Sequence, residues 1–418
     1  MDFCYQAGVC LSFVRELKLS TFTMASVLSR RNWLKSGALA TSGALVAPTL
    51  TQAAPMAALS VSPYEAVYLE RQRELALELA LAQAPQVKAR LSANENPWGP
   101  SAKAKEALMK AVDSSFLYAG PVVMSLRKLI AEQAGVPEDH ILLGAGSSEL
   151  LMASLMLYGP KGKILMADPC YISNRDDQTD NNGMAFDKVP LTKDYQYDLS
   201  AMDGRLNAQT SLIYVCNPNN PTGVMLPSAQ LRSFCESASA KAPVLVDEAY
   251  IDYAASPATD TMLDCVRKGQ NVIVLRTMSK LHAFAGLRVG YAVAKPEVIK
   301  AMRRFCSGGF SISTPSAAAA IASLQDQSFQ QYTLQKTAES KQFLYDFLKG
   351  ADYTWLPSSA NFVLFPLRMK SQTFMSRMME EGVSVRRWEF AAQHWCRLSI
   401  GTLDDMKTFA NAFQRVVS

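Results

Sequence analysis

Five apolar runs cross the middle of the chain, and each stops at polar residues. "HILLGAG" carries a short run, Ile141 to Leu143. "KILMADPCY" runs to Asp168, and "SLIYVCNPNNPTG" runs to Cys216. "PVLVDEAY" ends in Asp247, and "NVIVLRTMSK" carries a run from Asn271 to Leu275 with Ser279 and Lys280 just beyond. Runs of this length bounded by turn residues read as buried strands. The segments between them have helical spacing, so the alternation predicts an α/β fold with a largely parallel sheet. From about Gln325 the pattern changes. "QQYTLQKTAESKQFLYDFLKG" is helical, and "SSANFVLFPL", "GVSVRRW" and "WCRLSIGT" read as short strands of a smaller α/β lobe. Upstream, Pro63 to Gln83 has helical spacing, and Leu91 to Ser101 is a Pro- and Gly-containing loop. The expected organisation is an N-terminal extension and signal over 1–58, then a helix and arm joining the small lobe over 59–115. A large domain over 116–324 and a small C-terminal domain over 325–418 follow.

Composition narrows the function. The chain has 418 residues, 49% of them hydrophobic, which suits a globular protein of two or three lobes. Net charge is +5, yet no basic tract appears, so nucleic acid is not an expected partner. The three histidines, His140, His282 and His394, are far apart, which leaves no helical metal-ligand pair. The eight cysteines form no Cys-x-x-Cys pair and read as small core residues or incidental thiols, not as a disulfide framework or zinc site.

The N-terminus has its own logic. "SRRNWLK" places Arg30 and Arg31 before an apolar stretch, Gly37 to Leu50, and an alanine-rich segment. That layout predicts a twin-arginine export signal, cleaved near Ala53 to Ala58, with the export machinery as a partner and the periplasm as the destination. The apolar stretch is too short and too rich in Gly, Ser and Thr to span a bilayer. Met24 lies just ahead of the signal, so residues 1–23 read as an upstream extension.

The strand ends carry the candidate chemistry, because ligands of open α/β sheets bind at the carboxyl ends of the strands. Gly144, Gly146, Ser147 and Ser148 form a glycine turn entering a helix, a cradle for a phosphate; Ser279 and Arg288 add a hydroxyl and a charge. Asp247 ends an apolar strand, where a buried carboxylate needs a cation such as a pyridinium. Asn217 and Tyr250 can donate to a phenolate, and Tyr171 can stack on a ring. Lys280 can form an imine with an aldehyde. Phosphate, ring, pyridinium, phenolate and aldehyde together describe pyridoxal 5′-phosphate.

These stretches, with "SANENPWGPS", "SLRKLIAEQAGV", "NPNNPTG", "TMSKLHAFAGLRVGY" and "RLSIGT", run in order from Leu91 to the C-terminus. The chain thereby resembles fold-type I pyridoxal-phosphate-dependent aminotransferases, within them the histidinol-phosphate aminotransferase family. The resemblance implies a large domain with a mostly parallel seven-stranded sheet flanked by helices, plus the smaller C-terminal α/β domain. It implies Lys280 as Schiff-base lysine and acid/base, Asp247 as partner of the pyridine nitrogen, and Asn217 and Tyr250 as O3′ partners. Gly146, Ser147, Ser148, Ser279 and Arg288 would hold the phosphate. Tyr118 would reach the phosphate of a neighbouring subunit, which implies a homodimer. Arg397 would clamp the substrate carboxylate, with Arg386 and Asn361 also facing the substrate. The substrates would be an amino donor and a 2-oxo acid acceptor. A lyase or decarboxylase on the same scaffold, or a non-catalytic cofactor-binding protein, uses the same residues and stays open at this point. "LYAGP" stands where the family often has Arg-Tyr-Pro, and "GSSE" where it often has Gly-Ser-Asp-Glu, so a substrate other than histidinol phosphate is expected.

Overall fold

The computed structural model describes residues 87–173 and 184–418. The signal and the helix expected over Pro63 to Gln83 lie outside the described residues. The described chain opens with β1 (Ala89–Arg90), then reaches the main sheet through β2 (Ile141–Gly144), β3 (Lys163–Asp168), β4 (Ala185–Pro190) and β5 (Thr210–Cys216). It continues through β6 (Val244–Asp247), β7 (Val272–Thr277) and β8 (Gly290–Val293). The seven strands β2 to β8 lie in the order β2-β8-β7-β6-β5-β3-β4. Only β8 runs antiparallel to its neighbours.

This topology brings the expected polar residues to one edge. Asp247 lies in register between Cys216 and Leu275. Gly290 pairs with Gly144 on one side and Thr277 on the other, so the ends of β2 and β7 meet across the start of β8. The five strands expected from apolar runs are buried almost throughout. The hydropathy pattern does not mark β4, an edge strand with one buried residue, "AFDKVP". Nor does it mark β8, which lies inside the "GLRVGY" stretch.

Helices pack on this sheet. The helix α1 (Ala102–Val112) is capped by Ser101, whose side chain accepts from the Ala104 N–H. Next, α2 (Gly120–Ala134) begins with Pro121 and ends at Gly135 with φ 64°, a left-handed cap suited to glycine. The helix α3 (Ser147–Tyr158) leads away from the end of β2. Farther on, α4 (Thr314–Leu324) packs closely on α1 and α2.

The long helix α5 (Gln327–Gly350) enters the small lobe. There β9 (Phe362–Pro366), β11 (Arg386–Phe390) and β12 (Gln393–Ser399) form an antiparallel sheet in the order β11-β12-β9. The short β10 (Val383–Ser384) pairs in parallel with β1. The closing helix α6 (Leu403–Val417) starts with a reciprocal cap between Thr402 and Asp405. Its Phe409 and Phe413 pack edge-on around Phe365, Tyr353 and Phe374 to fill the small core. Ala89 and Leu91 belong to that core, whereas Ala104 belongs to the large one. Tyr195 of the large lobe packs edge-on against Phe390 and Trp395 of the small lobe. No helix among the described residues is long and apolar enough to cross a membrane.

Candidate active site

Lys280 lies three residues past β7, in a turn where the Thr277 hydroxyl accepts from the Ser279 N–H (3.2 Å) and donates to the Ser279 Oγ (2.9 Å). The Lys280 Nζ donates to the main-chain carbonyls of Asn94 (3.0 Å) and Ala93 (3.4 Å), and stands 5.5 Å from the centre of the Tyr250 ring. Desolvation in the cleft lowers its pKa to about 8, helped by the positive charges of Arg397 and Arg288 and opposed by Glu95 and Asp247. A lysine so shifted carries a substantial neutral fraction near neutral pH, which an ordinary surface lysine does not.

Asp247 is 3% exposed. Its Oδ2 accepts from the Tyr214 hydroxyl (3.1 Å) and its Oδ1 from the Ala249 N–H (3.2 Å). Next to it in the sheet, Asn217 is buried at the end of β5 with its Oδ1 taken by the Leu226 N–H (2.8 Å). That bond turns the amide nitrogen to the opposite side as a donor.

The glycine turn fits an anion. Gly146 has φ 79° and seats the Arg288 guanidinium so closely that a Cβ there would collide with it. Arg288 reaches the Ala145 carbonyl (3.1 Å) and the Ser279 Oγ (3.4 Å), so the turn, the hydroxyl and the guanidinium converge. No side chain caps α3, which leaves its first N–H groups and the hydroxyls of Ser147 and Ser148 for a ligand. Glu149, which the sequence reading did not single out, braces this turn. Its Oε2 accepts from the Ala145 N–H (2.5 Å) and the Ser311 hydroxyl (2.8 Å), and its Oε1 accepts from the Ser307 N–H (3.1 Å).

On the small-lobe side, Arg397 of β12 is 6% exposed and lies over the Phe362 ring. Its Nη1 donates to Asn220 Oδ1 (2.7 Å) and its Nη2 to the Ser92 carbonyl (2.8 Å), while its buried Nε–H has no partner. Burial lowers its pKa to about 10; Tyr250 acts against that and Arg386 adds to it. Arg386 is exposed and stands opposite Arg397 in the β11–β12 register, so the two guanidiniums share one face of the hairpin. Asn361 is buried, donates to the carbonyls of Asn94 (3.0 Å) and Glu95 (3.3 Å), and keeps an unpartnered Oδ1. Tyr171 is near enough to Tyr250 and Arg397 to act on their charge.

Tyr250 itself is buried, and its hydroxyl oxygen accepts from Asn94 Nδ2 (3.0 Å) and Asn220 Nδ2 (3.3 Å). Burial pushes its pKa up, so it stays a protonated phenol at neutral pH. Asn94 and Asn220 were also not singled out, although both lie in the quoted Asn/Pro stretches. Their asparagine-proline pattern is the signal that could have found them. Tyr118 stands apart from this assembly. It is 96% exposed, beside Phe116, Leu117 and Phe310, and lines a cavity of about 760 Å³.

The arrangement offers an amine of lowered pKa, a buried carboxylate, a phosphate-sized cradle and a buried guanidinium with donors to spare. Relatives match it. The sequence matches the family described as aminotransferase class I and II over residues 86–413. The chain is 34% identical over 367 residues to the histidinol-phosphate aminotransferase of Moorella thermoacetica, covering 87% of this chain and 92% of that one. Its structure is similar to that of a putative histidinol-phosphate aminotransferase from Erwinia carotovora atroseptica, with TM-score 0.75, 32% identity, and 79% and 97% of the two chains covered. The Sinorhizobium meliloti histidinol-phosphate aminotransferase, solved with pyridoxal-5′-phosphate, gives TM-score 0.72 and 26% identity over 79% of this chain and 91% of that one. The cradle at Gly146, the buried Asp247 and the amine of Lys280 fit that cofactor's phosphate, ring nitrogen and aldehyde. The chain belongs to the class I and II aminotransferases and is a pyridoxal-phosphate-dependent enzyme of the histidinol-phosphate aminotransferase type.

Proposed function

We propose that this enzyme transfers the amino group of an amino acid carrying a second acidic or polar group to its cofactor and on to a 2-oxo acid, as an exported homodimer. The observation that carries the substrate reading is Arg397. It is a buried guanidinium with an unpartnered Nε–H, on the same hairpin face as Arg386. Two like charges there repel unless anions sit between them, and a guanidinium fork matches a carboxylate.

When bound, pyridoxal 5′-phosphate supplies the carbonyl that takes the amino group and a ring that spreads the charge left on the substrate Cα. The chain's own residues do the rest. Gly146, Ser147, Ser148, Ser279 and Arg288 hold the phosphate, and Tyr171 packs against the ring. Asp247 keeps a proton on the ring nitrogen, because a buried carboxylate favours a cation beside it. Asn217 and Tyr250 donate to the phenolate oxygen. Lys280 anchors the cofactor, and its free Nζ takes the Cα proton and returns it elsewhere, a task suited to a pKa of about 8. Arg397, with Asn361, holds the α-carboxylate, and Arg386 receives the second acidic group. Glutamate belongs among the expected donors or acceptors.

The exposed apolar side chains Phe116, Leu117, Tyr118 and Phe310 support a dimer in which Tyr118 reaches the partner's phosphate. The Arg30–Arg31 pair supports export to the periplasm.

A panel of amino acids tests the reaction. Purified enzyme should release the matching 2-oxo acid with one equivalent of pyridoxamine phosphate per site. Release of CO2 or of a β-substituent instead would replace transamination by decarboxylation or elimination. In Arg386→Ala, dianionic substrates should lose much more than monoanionic ones, and equal losses would remove Arg386 from recognition.

A further inference from the structure

Asn94 is a point where three parts of the site are tied together. It lies in the arm before α1, is 1% exposed, and has φ 53°, a left-handed conformation that asparagine tolerates better than most residues. Its Nδ2 donates to the Tyr250 hydroxyl (3.0 Å). Its main-chain carbonyl accepts from Lys280 Nζ (3.0 Å) and from Asn361 Nδ2 (3.0 Å). Ser399 fixes the residue from the small lobe. The Ser399 hydroxyl accepts from the Asn94 N–H (2.7 Å) and donates to Asn94 Oδ1 (3.1 Å). The amide oxygen thus faces Ser399 and the NH2 faces Tyr250.

A phenolic oxygen that already accepts from Asn94 and Asn220 has little capacity to accept more, so its own proton is turned outward as a donor. A lysine amine not joined to the cofactor needs acceptors, and the two carbonyls of Ala93 and Asn94 supply them.

We propose that Asn94 is a positioning residue of the transamination: its side-chain amide commits Tyr250 to donating its proton, and its carbonyl docks the free amine of Lys280. This rests on the assignment of Lys280 and Tyr250 to the cofactor site made above. The groups that bear on Lys280 charge are Arg397 on β12, Arg288 beyond the lysine turn, Glu95 on the arm and Asp247 on β6, with the Tyr250 ring beside it.

The test uses Asn94→Gly and Asn94→Asp. Glycine keeps the left-handed backbone and the carbonyl but removes the amide. Aspartate keeps the shape and the bond from Ser399 but replaces the donor to Tyr250 by an anion. In the cofactor-free protein, the pH midpoint for acylation of Lys280 by an anhydride, read peptide by peptide in the mass spectrometer, should rise in Asn94→Asp by roughly one unit. An added nearby negative charge favours the ammonium. In loaded enzyme, Asn94→Gly should lower kcat about tenfold at nearly constant KM, the size of one lost hydrogen bond of about 1.4 kcal/mol. The pH midpoint of the cofactor's visible absorption should move in both variants. In Asn94→Gly, a residue that only braces the fold would lower thermal stability and leave the absorption midpoint and the kcat of the loaded fraction unchanged, and that result overturns the proposal. Should neither variant fold, Ser399→Ala loosens Asn94 without altering it and should move the pH midpoint of the cofactor's visible absorption; an unchanged midpoint overturns the proposal equally. Lys280→Ala, run alongside, separates the two levels. Covalent cofactor in that variant would sink the site assignment itself, whatever Asn94 does.

Discussion

Replacing Arg397 by Lys keeps the positive charge and removes the fork. Of the five N–H donors of the guanidinium, one on Nη1 serves Asn220 and one on Nη2 serves the Ser92 carbonyl. Three remain, including the unpartnered Nε–H, enough for a two-bonded carboxylate. A lysine has three donors on a shorter reach. If two keep the same protein acceptors, one is left for the substrate. The variant therefore loses one hydrogen bond to a charged group, worth about 1.5–3 kcal/mol, or roughly 10- to 150-fold in kcat/KM. The carboxylate is bound alike before and during the chemistry, so the loss should fall on KM. Steady-state kinetics with the best donor from the panel measure it, with circular dichroism as the check on folding. A loss under threefold, or one confined to kcat, would show that Arg397 does not grip the carboxylate and would recast it as a brace for Asn220 and Tyr250.

Other outcomes follow from the same geometry. Lys280→Ala should abolish both activity and the covalent adduct seen by mass after borohydride reduction, because no other amine takes its place; retained transamination would refute the assignment. In the cofactor-free protein the rate of covalent loading should climb as pH rises through about 8 and then level off, since only the neutral Lys280 amine attacks a carbonyl. A midpoint near that of an ordinary lysine would mean that the amine is not desolvated in solution. Asp247→Ala should weaken cofactor binding and lower kcat far more than it raises KM; a pure KM effect would contradict its proposed partnership with the ring nitrogen. Changing Arg30 and Arg31 both to Lys should leave active enzyme in the cytoplasm, measured by fractionation, and normal periplasmic yield would refute the signal.

Much of this site was legible because parallel strands make poor secrets of their ends. A buried strand such as Val244–Asp247 has no reason to finish on a carboxylate unless something there is paired with it. The same logic marked Lys280 and Asn217. The glycine turn before Ser147 gained its meaning only beside Ser279, Arg288 and the other strand ends. What the sequence hid is held by distance along the chain. Asn94 meets Lys280 across 186 residues and Ser399 across 305, and no periodicity encodes such pairs. Asn220 sat in a quoted motif, yet its link between Arg397 and Tyr250 depends on how the two lobes meet. Strand β4 escaped because an edge strand with one buried residue has no apolar run to read. Glu149 reaches back to Ala145 and across to Ser311, contacts that only the fold shows.

The seam between β1 and β10 sets a schedule for making the protein. Ala89 leaves the ribosome long before Val383, its partner, and Asn94 waits for Ser399. The large sheet has all its strands by Val293, yet Arg397 and Ser399, which bond Asn220 and Asn94, come only with the final strand of the small lobe. Domains tend to fold as they appear, but a seam joining early and late segments cannot close during synthesis. A ribosome stalled before Ser399 would therefore hold the reactive lysine and both of its carbonyl acceptors, but with Asn94 not yet pinned by the Ser399 hydroxyl.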